Sequence, residues 1–231
     1  MNIRLQPVVA TAEFLASPAG QEVLARLSRP PLVAAGRLLE ALADADSPRG
    51  LLAACELPRG GVAALQPRAG QIWLYLDGIQ DPGNLGALAR VAEGLGAAGL
   101  LLSPGCADPN HSRALRASAG SLLRLPLAIR AEPAAARARF AETPETDGGG
   151  GRWIGLEAHR GSICLEKLQP TGASSLTILA LGAEGPGLSA TTRAQLDLGV
   201  TITLHGRLES LNVAVAAALV LARIAPALKP A

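Results

Sequence analysis

The alternation of hydrophobic and polar positions changes character near residue 70. Before it, apolar positions recur at helical spacing over residues 21–27 and 37–45. Residues 31–33 and 51–57 read as extended, with Ser47-Pro48-Arg49-Gly50 as a turn between helix and strand. From Gln71 onward, short apolar runs at 72–76, 99–102, 153–156, 177–181 and 200–204 read as strands, with a further strand inside 122–129. Helical spacing holds over 84–94 and 113–119, and a long apolar helix starts near residue 211. Strand–helix alternation of this kind predicts an α/β domain with a mostly parallel, doubly wound sheet over 67–231, preceded by a small α/β domain over 1–66. A linker starting at Pro58-Arg59-Gly60-Gly61 separates the two, and the polar, Gly-rich stretch 142–152 is expected to be a flexible surface loop.

Composition narrows the function classes. Hydrophobic residues make up 49% of the 231 residues, enough to bury a full core. The longest apolar run, 211–225, is broken by Asn212 and Arg223 and is too short to span a bilayer; Met1-Asn2-Ile3-Arg4 begins no secretory leader. A cytoplasmic protein with no membrane attachment is expected. Cys55, Cys106 and Cys164 form no CxxC pair, and His111, His159 and His205 show no ligand spacing, so neither a disulfide framework nor a metal site is expected. The net charge is only +2, but Arg113, Arg116, Arg124, Arg130, Arg137 and Arg139 share one stretch whose single acid is Glu132. That stretch suits RNA phosphates, and a solvated helix surface equally well. Phe14, Trp73, Tyr75, Phe140 and Trp153 are too few for a base-stacking platform.

Three segments place glycines and a few polar groups just beyond an apolar strand, where ligands sit in open α/β sheets. In the segment from Asp77 through Asp81-Pro82-Gly83-Asn84-Leu85-Gly86 to Arg90, Asn84 is expected to cap the following helix and Arg90 to lie opposite its apolar stripe of Leu85, Leu88, Ala92 and Leu95. The segment Gly182-Ala183-Glu184-Gly185-Pro186-Gly187 offers close backbone approach to a ligand but lacks the GxGxxG order of dinucleotide folds. In the segment from Thr201 to Ala216, Ser210 is the expected N-cap and Asn212 an anomalous amide in an apolar run. Each segment alone has a plain structural explanation: a capped helix, a turn, a hydrogen-bond hub.

In their order and spacing, DPxNLGALxRxAExxG, GAEGPGL and SLNVAVA resemble the three signature motifs of the SpoU (TrmH-like) RNA 2′-O-ribose methyltransferases, over about residues 73–224. The stretch from Gly105-Cys106-Ala107-Asp108-Pro109 to Gly120 is also similar to the family's segment between the first two motifs. The resemblance implies a trefoil knot near the C-terminus, S-adenosylmethionine as cofactor, and methyl transfer to a ribose 2′-hydroxyl of RNA. It favours rRNA over tRNA because residues 47–53 are similar to the end of the family's substrate-binding domain, which here looks N-terminally shortened. It further implies a homodimer, the active site being completed at the dimer interface.

Carried over residue by residue, the resemblance assigns Asn84, Arg90, Glu184, Ser210 and Asn212 to the catalytic site. Leu181, Gly182, Glu184, Gly185, Ile202, Leu204 and Leu211 go to the cofactor, and Arg90, Arg113 and Arg116 to RNA. The family's arginine at the position of Arg90 is credited with assisting deprotonation. A guanidinium does not give up its proton in proteins, so binding the target phosphate and stabilising the developing alkoxide fits it better. Thr203, Leu204 and Ala214 stand where the family usually has Pro, Met and Ser. Two other readings are a nucleotide-binding Rossmann-type enzyme, which the missing GxGxxG counts against, and a catalytically silent RNA-binding relative.

Overall fold

The computed structural model describes residues 4–43, 48–56, 60–143, 151–157, 159, 161–170, 172, 174–208 and 210–225. The chain divides into two units, Met1–Pro58 and Arg59–Ala231.

The first unit runs β1 (Arg4–Ala10), α1 (Ala12–Ala16), α2 (Pro18–Arg26), β2 (Leu32–Val33), α3 (Gly36–Leu42) and β3 (Leu51–Glu56). Its sheet has the order β2-β1-β3, with β2 parallel and β3 antiparallel to β1. The central strand β1 has no counterpart in the sequence reading, because Pro7 interrupts the run and argues against a strand. The sheet accommodates it by a register shift between Leu5 and Val8. Thr11 caps α1 through Phe14 N, and Ser17 both ends α1 and caps α2 through Gly20 N.

The second unit contains β4 (Ile72–Asp77), α4 (Pro82–Gly94), β5 (Gly99–Leu102), α5 (Ser112–Ala117), α6 (Ser121–Arg124), β6 (Leu127–Ala128) and α7 (Pro133–Ala141). It continues with β7 (Arg152–Leu156), β8 (Ile163–Cys164), β9 (Thr177–Gly182), α8 (Ala190–Arg193), β10 (Leu198–Thr201) and α9 (Val213–Ile224). Residues 60–66, assigned by their composition to the N-terminal piece and linker, belong to this unit, and Leu65 is buried in one of its cores. The sheet has the order β6-β5-β4-β9-β7-β10-β8, and every pairing in it is parallel. Residues 202–204, expected to extend a strand, lie beyond β10 and outside the sheet. Of the expected loop over 142–152, residues 144–150 lie outside the described residues.

Side-chain alternation along β4 explains why the sheet is covered on both faces. Ile72, Leu74 and Leu76 join a core with Leu85, Leu88 and Ala89 of α4 and Val220 and Leu221 of α9. Trp73 and Tyr75 point to the opposite core, with Phe140 of α7 and Trp153 of β7. Trp73 meets Phe140 edge-on at 5.3 Å, and Tyr75 lies 5.2 Å from Trp153. Four of the five aromatic residues are thus core.

Most of the basic stretch is tied to structure. Arg137 forms a two-pronged pair with Asp197, both contacts at 2.8 Å, and Asp197 also accepts from Trp153 N. Arg139 donates to the Leu65 carbonyl, and Arg113 pairs with Asp81 at 3.2 Å. Arg124 Nη2 and Ser121 Oγ both reach Glu93 Oε2, at 2.7 and 2.6 Å.

Hydrogen bonds from Arg124 and then Ser121 hold the Glu93 carboxyl at about 2, below its ordinary 4.5. A depressed folded-state value stabilises the fold above pH 4.5, and that contribution is lost as pH falls toward 2. The urea midpoint of the wild type is therefore expected to fall more steeply than that of Glu93→Gln as pH drops through this window. Parallel curves for the two proteins would show that the contact contributes nothing to stability.

Candidate active site

Parallel strands bring their carboxyl ends to one edge of the sheet, and the three motif segments leave it from β4, β9 and β10. Along that edge, a cleft of about 330 Å³ is lined by the ends of β7, β9 and β10, the segments after them, and the start of α9. Leu181, Gly182, Glu184, Gly185, Ile202, Leu204 and Leu211, the residues expected to hold the cofactor, all line it, and so does Ser210. Glu157 lines it too, and the motif reading missed it. The strand-end rule that flagged the three segments would have flagged Glu157 as the residue after β7. Its carboxylate accepts from Arg193 Nε at 2.7 Å.

Beside this cleft, one residue from each motif meets the other two. Asn84 Nδ2 donates to Glu184 Oε1 at 3.1 Å, and Asn212 Nδ2 donates to Asn84 Oδ1 at 2.9 Å and to Glu184 Oε1 at 3.4 Å. Asn212 Oδ1 accepts from Ala214 N at 2.9 Å. A backbone N–H can only donate, so this contact fixes which end of the Asn212 amide is oxygen. That in turn fixes the direction of every bond as far as Glu184.

Both expected caps are corrected. Asn212, not Ser210, caps α9, and Asp81, not Asn84, caps α4, accepting from Asn84 N at 2.8 Å. Pro82 at the first helical position is the usual follower of a capping residue and fits Asp81 better. The shift frees the Asn84 side chain for the cluster. Asn212 is exposed, not buried, so its place in an apolar run is explained by capping and not by a hub within the core.

The glycine-rich turn between β9 and α8 is held at both ends. Ala183 bridges to Gly187, with Gly187 N donating to Ala183 O at 3.0 Å. At the far end, Ser189 N donates to Asp77 Oδ2 at 2.7 Å, and Asp77 is only 8% exposed. Asp77 thereby links the end of β4 to the loop that carries Glu184.

Arg90 is not brought into this group. It lies exposed on α4, opposite buried Leu85, Leu88, Ala89 and Ala92, and is not among the residues lining the cleft. Arg113 reaches the site only indirectly, through Asp81. Arg116 is exposed on α5 beyond it. Burial pushes the Cys106 thiol up, which disfavours the reactive thiolate, and its Sγ donates to Leu76 O. Among the described residues no group of His, Cys, Asp and Glu could hold a metal ion, and no helix is long and apolar enough to cross a membrane.

The sequence profile described as the SpoU rRNA Methylase family matches residues 71–222. The chain is 32% identical over 179 residues to the 23S rRNA (guanosine(2553)-2′-O)-methyltransferase RlmP of Bacillus subtilis, covering 78% of this chain and 66% of that protein. It is 34% identical over 172 residues to an uncharacterised tRNA/rRNA methyltransferase of Mycobacterium tuberculosis, covering 74% of this chain and 57% of the relative. It thus spans roughly three-fifths of the length of these curated relatives. The crystal structure of the SpoU methyltransferase AviRb from Streptomyces viridochromogenes in complex with AdoMet superposes with a TM-score of 0.81 at 26% identity, covering 96% of this chain and 82% of that one. With a profile match over most of its length and the three motifs joined at one cleft, the chain belongs to the SpoU rRNA methylase family.

Proposed function

We propose that this chain is an S-adenosylmethionine-dependent RNA methyltransferase acting on a ribose 2′-hydroxyl, with rRNA as its substrate class. The observation that carries this reading is the cluster of Asn84, Glu184 and Asn212, which lie 100 and 128 residues apart from Asn84 in sequence and meet beside one cleft. The cleft suits the cofactor chemically. Leu181, Ile202, Leu204 and Leu211 offer apolar walls for an adenine, glycine backbone offers hydrogen bonds at close range, and Glu184 offers a carboxylate to a cation, the charge of Glu157 being offset by Arg193. When bound, S-adenosylmethionine supplies an activated methyl group, so the protein's tasks are alignment and control of one proton.

In this reading Asn84 and Asn212 orient Glu184, and Ser210 contacts the ribose. Arg90 binds the target phosphate and stabilises the oxygen as its proton departs. The absence of Arg90 from the residues lining its own cleft fits a site completed by a second copy of the chain. Val215 and Leu219, one helical turn apart on α9 and 52% and 43% exposed, are the surface proposed to pair in that homodimer. The rest of the reading is a trefoil knot, an RNA-binding role for the N-terminal unit and a cytoplasmic location. The insertion of β10 between the earlier strands β7 and β8 supports the knot.

Calorimetry with S-adenosylmethionine, followed by methyl transfer to bulk rRNA and bulk tRNA, tests the reading. Saturable binding and transfer to rRNA are expected. No binding at millimolar cofactor would remove the enzyme reading, binding without transfer would favour a silent RNA-binding relative, and transfer to tRNA alone would replace the substrate class. Arg90→Lys keeps the charge but loses the planar fork, and is expected to lower kcat at least about tenfold with cofactor affinity unchanged. Near-normal turnover would refute the guanidinium role.

A further inference from the structure

A second, larger opening lies on the same edge of the sheet, beyond the carboxyl ends of β5 and β6. Its volume is about 780 Å³, and Arg130, Asp108, Glu132 and Asn110 line it together with apolar residues such as Leu102 and Ile129. In the strand order, β4 lies between β5 and the cleft strand β9. The nearest strands of the two openings, β5 and β9, are two steps apart, on the order of 10 Å at about 4.8 Å per step.

Arg130 carries the argument, because its backbone has φ +51, a left-handed conformation that long side chains rarely adopt. The neighbours leave it no alternative. Ile129 N donates to Gly60 O, Ala131 N donates to Leu102 O at 2.7 Å, and Tyr75 Oη donates to Ala131 O at 2.8 Å. A glycine would satisfy the same backbone without strain, yet the position holds an exposed arginine that makes no ion pair or hydrogen bond with a described residue. Strain kept in this way points to work done by the side chain. Glu132, at the start of α7, makes no capping bond with its side chain, so its carboxylate is not spent on the helix.

The charge balance decides the ligand class. Two carboxylates against one guanidinium disfavour a phosphate. They suit a planar base that offers acceptors on one edge and donors on the other. Guanine does this, with O6 and N7 for an arginine and N1–H and N2–H₂ for a carboxylate. Unpaired bases recognised along their edges are the usual means of sequence-specific RNA reading.

We propose that this second opening binds one unpaired guanine base of the RNA, in a nucleotide flanking the one that meets the cleft. Arg130 takes its O6/N7 edge, and a carboxylate of Asp108 or Glu132 takes its N1/N2 edge. The assignment rests on the RNA-binding reading but not on methyl transfer.

Fluorescence anisotropy with the full chain and labelled UUUGUU, UUUAUU and UUUUUU hexamers tests it. The wild type is expected to prefer the G hexamer over both others by roughly tenfold. Arg130→Ala should erase that preference with less than a twofold change for the U hexamer. Arg130→Gly should erase it too while raising Tm by roughly 2 °C, since glycine relieves the strain; a purely structural role would not separate stability from binding in this way. Equal weakening for all hexamers, equal affinity for the A and G hexamers, no measurable binding of the G hexamer, or a preference that survives Arg130→Gly would each overturn the proposal. Calorimetry with S-adenosylmethionine on the same samples reports separately on the enzyme reading, so failure of one is distinguishable from failure of the other.

Discussion

Asn212→Asp is expected to reduce methyl transfer at least about 100-fold while leaving the fold in place. The substitution keeps an oxygen for Ala214 N, and a carboxylate at a helix N-terminus is a good cap, so α9 retains its start. What disappears is the Nδ2 group that donates to Asn84 Oδ1 and Glu184 Oε1. In its place a second carboxylate sits about one hydrogen-bond length from Glu184, where like charges repel. Glu184 is expected to swing away and Asn84 to lose its orientation, so both cofactor affinity and turnover fall. Asn212→Ala loses the cap as well, at a cost of about 1 kcal/mol, which should lower Tm by roughly 2–4 °C. Thermal unfolding and methyl transfer on both variants separate the two jobs. Wild-type turnover in Asn212→Asp would mean that the cluster only caps a helix.

Gly182→Ala is expected to abolish measurable cofactor binding, a loss of at least about 100-fold. A Cβ at this position would sit on the backbone of Gly187 and Leu188, which cannot rotate aside as a flexible side chain can. The turn has little freedom to retreat. Its start is bridged from Ala183 to Gly187, its far end is pinned by Asp77, and Gly185 and Gly187 already occupy left-handed conformations at φ +88 and +68. Overpacking of this kind costs about 1–3 kcal/mol, and the loop can relieve it only by deforming the cleft wall. Gly94→Ala is the matched control, since a Cβ there meets nothing within 4 Å. It should leave binding and stability essentially unchanged. Calorimetry on the two proteins decides the matter, and normal affinity in Gly182→Ala would show that the turn does not form the cofactor wall.

The parts of this molecule legible in its sequence are those fixed by short-range rules. Apolar runs located β4, β5, β7 and β9 closely, and the spacing of Leu85, Leu88 and Ala92 predicted the buried face of α4 and the exposure of Arg90. The residues that the resemblance assigns to the cofactor line one cleft at strand ends, where parallel sheets leave room for ligands. The caps were misassigned where two capable residues stand close together. Asp81 and Asn84 are three apart and Ser210 and Asn212 two apart, and propensity alone does not choose between such neighbours. β1 was hidden by Pro7, and α7 by a sequence of small residues and arginines with little apolar periodicity. The arginine partners were beyond reach for a different reason. Arg137 and Asp197 are 60 residues apart, and only the tertiary fold shows that much of a suspected RNA surface is bound up in ion pairs.

The position of β10 between β7 and β8 has a consequence for how the protein is made. A chain emerging from the ribosome at about 5–20 residues per second has β4, β5, β6, β7 and β8 available well before the strand that must lie between the last two. The Asn84–Glu184–Asn212 cluster, whose last member follows β10, then closes only after that strand is seated. A copy synthesised only as far as β9 therefore lacks both the inserted strand and the last member of the cluster.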